Sequence, residues 1–185
     1  MTRVLVVDDS RAVRELLVHI LGADRGITVV GCAADGEQAL RMAQELRPDV
    51  ITMDLHMPQM DGFEATRLSM QTCPVPIVIV SGSDSRGEID ASFRAIEAGA
   101  LVVVRRPFGV GNPAHAETAQ ALVRTVRAMA EVRVVRRWAP AAHGVRAREL
   151  AGARERAQAV RVAELFAVVW KDDARALEDR AAHSA

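Results

Sequence analysis

The 185 residues carry no formal net charge, half of them are hydrophobic and only 3% are aromatic. That apolar share excludes wholesale disorder, and the length suits one domain with an appendage or two small domains. Cys32 and Cys73 are too few and too far apart for a disulfide framework or a zinc site, and no apolar run approaches the roughly 18 residues that span a membrane.

Strand-like and helix-like segments alternate through the first 131 residues. Val4–Val7 is an apolar, β-branched run that stops at Asp8-Asp9. Ser10–Leu21 follows as a helix, with Ser10 as its cap, Val13, Leu16, Leu17, Ile20 and Leu21 on one face, and Gly22 as its stop. Thr28–Ala33 reads as the second strand, and Asp35-Gly36 turns into a helix over Glu37–Leu46. Val50–Met53 is the third strand and runs into Asp54; the loop Leu55–Asp61 leads to a helix at about Gly62–Gln71. Val75–Val80 is the fourth and runs into Ser81-Gly82, before a helix of roughly Arg86–Ala98 that Gly99 closes. Leu101–Val104 is the fifth and ends in Arg105-Arg106-Pro107. Asn112-Pro113 then caps a helix with Leu122, Val123, Val126, Met129 and Val132 on one side.

Five such units predict an α/β three-layer sandwich, a five-stranded parallel sheet with helices on both faces. Strands buried on both faces read as unbroken apolar runs, and chemistry in such sheets gathers at the strands' carboxyl ends. Asp8, Asp9, Asp54, Ser81 and Arg106 are therefore expected to converge on one crevice. Adjacent carboxylates facing a third repel one another, which favours a divalent cation such as Mg²⁺; the alternative is that Asp9-Ser10 merely caps the first helix. Asp54 ends a strand that is apolar but for Thr52 and has no evident structural duty, and a carboxylate beside a metal can attack phosphorus to give an acyl phosphate. Both cysteines sit beside apolar residues and read as reduced, buried thiols.

With Asp8-Asp9, Asp54-x-x-Met57-Pro58-x-Met60-Asp61-Gly62, Ser81-Gly82 and Arg106-Pro107 in this order and spacing, the chain resembles the response-regulator receiver domains of two-component signalling over residues 1 to about 131. The Val-Asp-Asp-Ser-Arg opening, the Val-Ser-Gly stretch and Pro107-Phe108-Gly109 are most similar to receivers of the chemotaxis methylesterase type. The resemblance implies a flavodoxin-like fold with strand order 2-1-3-4-5, to which the composition of the tail adds a C-terminal helical extension, and it implies Asp54 as the phosphoacceptor. It implies Mg²⁺ held by Asp8, Asp9, Asp54 and the backbone carbonyl of His56, and Ser81 as a hydrogen-bond donor to the phosphoryl oxygen. It further implies a sensor histidine kinase, of chemotaxis type, as phosphodonor, a downstream protein as reader, and no enzymatic turnover of a separate substrate; a cytoplasmic location is expected from the lack of a signal-like or membrane-spanning apolar run. The side chain of His56 is expected near the site entrance, tuning water access, and Arg105 is expected as a solvated neighbour.

Two positions depart from the family pattern. Arg106 stands where the family has Lys, and the chain's one lysine is Lys171. A guanidinium keeps the charge but is a broad planar fork, so the exchange is not conservative. Val103 stands where the family commonly has Tyr or Phe, so the usual aromatic switch is missing. These departures leave a second reading open: a pseudo-receiver acting as an interaction or dimerisation module, with phosphorylation uncoupled from switching.

Charge divides the chain. Residues 1–104 carry nine Arg and no Lys against fifteen acidic residues, and residues 105–185 carry fourteen Arg and one Lys against nine. Residues 132–144 read as a linker, with a hinge over Trp138–Gly144, and 145–185 as a helical extension whose thin apolar stripe must pack on the main domain, on a second copy or on nothing. Homodimerisation through this tail is one expectation. Arg133–Arg161 holds eight Arg, but its stripe cannot supply the two packed faces of a helix-turn-helix, so nucleic acid is not expected as a partner. After Pro140 the one serine is Ser184 and the histidines are His143 and His183, so a methylesterase half is not expected in this chain.

Overall fold

The computed structural model describes residues 1–82 and 94–135. These lie in the first of the chain's two units, Met1–Ala139. The second unit falls outside the described residues, as do the hinge, the helical tail and the first part of the helix expected over Arg86–Ala98.

Five strands, β1 (Thr2–Val7), β2 (Ile27–Ala33), β3 (Val50–Met53), β4 (Ile77–Ser81) and β5 (Val102–Arg105), form one parallel sheet in the order β2-β1-β3-β4-β5. The expected flavodoxin-like order is thus observed. Among the described residues, the helices between and after them are α1 (Arg11–Gly22), α2 (Gly36–Leu46), α3 (Gly62–Thr72) and α4 (His115–Ala130), and residues 94–98 are also helical.

The unbroken apolar runs are central strands, because only a strand covered on both faces can afford no polar alternation. All four residues of β3 and all five of β4 are buried. Leu5, Val7, Ile51, Met53, Ile77 and Ile79 share one cluster with Ala39 and Ala43 of α2 and Ala65 and Met70 of α3. The alternate residues Val4, Val6, Val50, Thr52, Val78 and Val80 point to the opposite face by the period of two, where α1 and α4 bring Leu17, Ile20, Leu21, Leu122, Val126 and Met129.

Several local expectations are corrected. Cys32 is exposed, because β2 is an edge strand whose alternate residues face outward, and Cys73, at the C-cap of α3, is only half-buried. Ser10 occupies the N-cap of α1 without a side-chain capping bond; its backbone N–H instead donates to Asp8 Oδ1 at 2.9 Å. The last helix among the described residues starts at His115 rather than at Asn112-Pro113, since Asn112 Oδ1 takes the Ala114 N–H in a turn ahead of it. Val132 lies past its end at Ala130, and Val75 and Leu101 precede rather than begin their strands. Gly99 does close its helix, at φ +121°.

Candidate functional site

Strand register builds the site. Val7 pairs with Met53, Met53 with Ile79, and Ser81 with Arg105, so the carboxyl ends of four neighbouring strands finish on one edge. The chain turns away in opposite directions from β1 and β3, which opens a crevice at that edge. Backbone hydrogen bonds extend the ladder past the strands: Asp8 N to Ala33 O at 3.2 Å, Asp54 N to Val7 O at 2.9 Å, and Arg106 N to Ser81 O at 2.6 Å. Asp8, Asp54 and Arg106 are therefore fixed at the backbone before their side chains make any contact.

One carboxylate oxygen each from Asp8, Asp9 and Asp54 lies within 4.8 Å of the others, with Asp8 and Asp54 buried and Asp9 exposed. Arg106 joins them through one nitrogen: Nη2 donates to Asp8 Oδ2 at 3.1 Å and to Asp54 Oδ1 at 3.3 Å. Ser81 is buried at the end of β4. His56 is exposed in the loop after β3, and Arg105 is exposed beside Arg106. Val103 is half-buried and packs against the cluster under α2 and α3.

Burial governs the electrostatics. Loss of water pushes the Asp8 carboxyl up to about 6; the Ser10 N–H and the Arg106 guanidinium oppose this, while Asp54 and Asp9 add to it. Asp54 is also raised, again by burial, against the pull of Arg106, a backbone hydrogen bond from Leu55 and the nearby His56. Burial thus works against the ionised forms of Asp8 and Asp54, and positive charge beyond the one guanidinium would favour them. The donors are hard oxygens gathered at one point, which is the set that Mg²⁺ prefers. Arg106 Nε is a second mark of incompleteness: among the described residues it is one of three buried side-chain polar atoms without a hydrogen-bond partner.

Sequence reasoning gave no positioning role to Arg14, Asp61, Gly62 or Gly82, the last three entering only as motif landmarks. Arg14 Nη1 donates to the carbonyl oxygens of Asp8 at 2.6 Å and Asp9 at 2.9 Å, clamping the turn after β1. Gly62 lets the start of α3 lie against the Asp54 carbonyl, and Asp61 caps that helix by accepting the Glu64 N–H. Gly82 lies under the Arg106 guanidinium. The available signals were an arginine one turn into α1 and glycines beside chemical residues, patterns that many unrelated turns share.

A family model described as the response regulator receiver domain matches residues 4–116. Among curated proteins, the chain is 54% identical over 153 residues to a protein-glutamate methylesterase/protein-glutamine glutaminase of Nitrosospira multiformis, covering 80% of this chain and 43% of that protein. A counterpart from Geobacter metallireducens is 51% identical over 138 residues, covering 75% and 40%. The chain thus spans about two fifths of the length of these relatives. Among solved structures, the response regulator domain of Thermotoga maritima CheB aligns with a TM-score of 0.63 at 36% identity, over 72% of this chain and 98% of that one.

Proposed function

This chain belongs to the response regulator receiver family, its receiver being of the chemotaxis methylesterase type, and from that premise we propose that it is a phosphoacceptor whose Asp54 takes a phosphoryl group from a phosphohistidine on a sensor kinase. The observation that carries the reading is the meeting of three carboxylates and a guanidinium at the aligned strand ends.

Asp8, Asp9 and Asp54, with the His56 carbonyl, would hold Mg²⁺. Bound there, the ion supplies positive charge against the carboxylates and the phosphoryl oxygens. A carboxylate oxygen of Asp54 attacks phosphorus in line, forming the acyl phosphate O–P bond as the P–N bond to the donor imidazole breaks and its nitrogen leaves with the electron pair. Arg106 neutralises equatorial charge, and its unpartnered Nε–H offers a donor to a phosphoryl oxygen. Ser81 donates a second hydrogen bond. The acyl phosphate is a signal read by a downstream protein rather than a product released.

Among the described residues no helix is long and apolar enough to cross a membrane. The tail's proposed role in self-association concerns residues outside those described; sedimentation of the full chain against a chain cut at residue 144 tests it, and a monomer with the tail present refutes it.

The phosphoacceptor reading is tested by incubating the full chain with Mg²⁺ and a small acyl phosphate donor and measuring intact mass. One phosphoryl group gained by the wild type and lost in Asp54→Ala is expected. No gain under conditions that label a control receiver leaves the interaction module as the better reading.

A further inference from the structure

We infer that Gly82 is a positioning residue for Arg106: its missing Cβ leaves the slot in which the guanidinium lies, and from that slot Arg106 acts as a built-in cation that competes with Mg²⁺ for Asp8 and Asp54. The competition rests on the metal site proposed above; the slot itself does not.

A methyl group at position 82 would fall 2.9 Å from Arg106 Nη1, 3.0 Å from its Cζ and 3.4 Å from its Nε. Three atoms of one planar group thus lie against a single α-carbon. Gly82 is not held there by an unusual backbone angle, since the positive-φ glycines among the described residues are Gly99 and Gly111. The reason for glycine is therefore space, and what fills the space is the guanidinium. The Arg106 backbone is tied to Ser81 by the 2.6 Å bond from its N–H, so the side chain must cross Gly82 to reach the acid cluster. A narrow ammonium would not need this width, whereas a planar fork does.

The seated guanidinium does two things. Its Nη2 contacts Asp8 and Asp54 together, with about a quarter of the Arg106 side chain exposed and almost none of either carboxylate. It thereby offsets part of the repulsion among the three carboxylates in the absence of metal. It also occupies one oxygen of each of two carboxylates that Mg²⁺ would use, so ion binding must displace or share those contacts. Exchange of Arg106 for a narrower cation and exchange of Gly82 for a larger residue are therefore coupled events.

The atoms in the way of a Cβ are the far end of a flexible side chain, so Gly82→Ala is expected to fold by shifting the guanidinium. The experiment is a double-mutant cycle on the full chain with Gly82→Ala, Arg106→Met and the pair, read by Mg²⁺ titration calorimetry at low ionic strength and by urea unfolding in EDTA. With Arg106 present, Gly82→Ala is expected to tighten Mg²⁺ binding about threefold or more and to lower the metal-free unfolding midpoint, a coupling of the size measured for residues in contact. In the Arg106→Met background both effects are expected to vanish. Equal effects of Gly82→Ala in the two backgrounds, or none in either, overturn the inference. If no variant binds Mg²⁺, the metal site and the competition fail together, while the EDTA unfolding cycle still decides whether Gly82 seats Arg106.

Discussion

The α-carbon of Gly62 lies against the backbone carbonyl of Asp54: a methyl group at position 62 would sit 2.1 Å from that oxygen and 2.9 Å from the α-carbon of Leu55. Both obstacles are backbone, and Gly62 N–H donates to Leu55 O at 3.0 Å, so neither side can yield without moving the end of β3. Gly62→Ala is expected to destabilise the protein by about 3 kcal/mol, the upper range for overpacking. Urea unfolding measures the loss. Phosphorylation of the folded fraction should slow as well, because the displaced atoms carry Asp54; a variant with native stability would show that α3 can retreat freely.

The raised Asp8 carboxyl makes two opposite pH effects. Its value of about 6 in the folded chain stands above the ordinary 3.8, so the proton is held more tightly when folded. Its contribution to metal-free stability is therefore fully present below pH 3.8 and lost as the pH rises toward 6. Mg²⁺ needs the ionised form, so its affinity should grow over the same window and level off above it. Melting curves with and without Mg²⁺ should show a stabilisation that increases between about pH 5 and pH 7. Asp8→Asn should raise metal-free stability at neutral pH and flatten that increase. A Mg²⁺ effect independent of pH would remove Asp8 from the metal site.

The convergence of Asp8, Asp54, Ser81 and Arg106 was legible because parallel central strands leave a one-dimensional trace, whereas the sheet order came from the family resemblance. Val50–Met53 has nothing polar to show a solvent until it meets Asp54, apart from Thr52. What was hidden depends on approach in three dimensions. Gly62 and Gly82 are small because of a carbonyl and a guanidinium that are distant or differently placed along the chain, and no local pattern encodes that neighbour. Cys32 was misread as buried because apolar flanks do not reveal that β2 lies at the sheet edge. Asn112 was misread as a cap because its side chain serves a turn three residues before the helix, and a single Asn-Pro pair fits either use.

Arg14 tests how far the turn after β1 depends on a side-chain clamp. Its Nη1 bonds the carbonyls of both Asp8 and Asp9, which fixes the directions of two proposed metal ligands without touching their carboxylates. Arg14→Ala should weaken Mg²⁺ binding about tenfold, as for other residues that orient ligands from behind. The carbonyls it leaves can turn to solvent, so the melting temperature of the metal-free protein should move little. Calorimetric titration alongside a melt separates the two quantities; unchanged affinity would show that the backbone ladder alone orders the turn.

Thr52 supplies the converse case, a polar group with no role at the site edge. It lies in the middle of β3, paired in register with Val6 and Val78, and is completely buried. Its Oγ1 has no hydrogen-bond partner. The hydroxyl has thus given up water without receiving anything in return, a cost of roughly 1 to 3 kcal/mol, and Val would keep the same β-branched shape. Thr52→Val is expected to raise stability by about 1 kcal/mol, allowing for imperfect packing of the new methyl. Because the side chain points to the face under α1 and α4, two residues before Asp54, the rate of phosphorylation should not change. Unfolding midpoints in urea measure the gain, and a loss of stability would mean that a buried water satisfies Thr52.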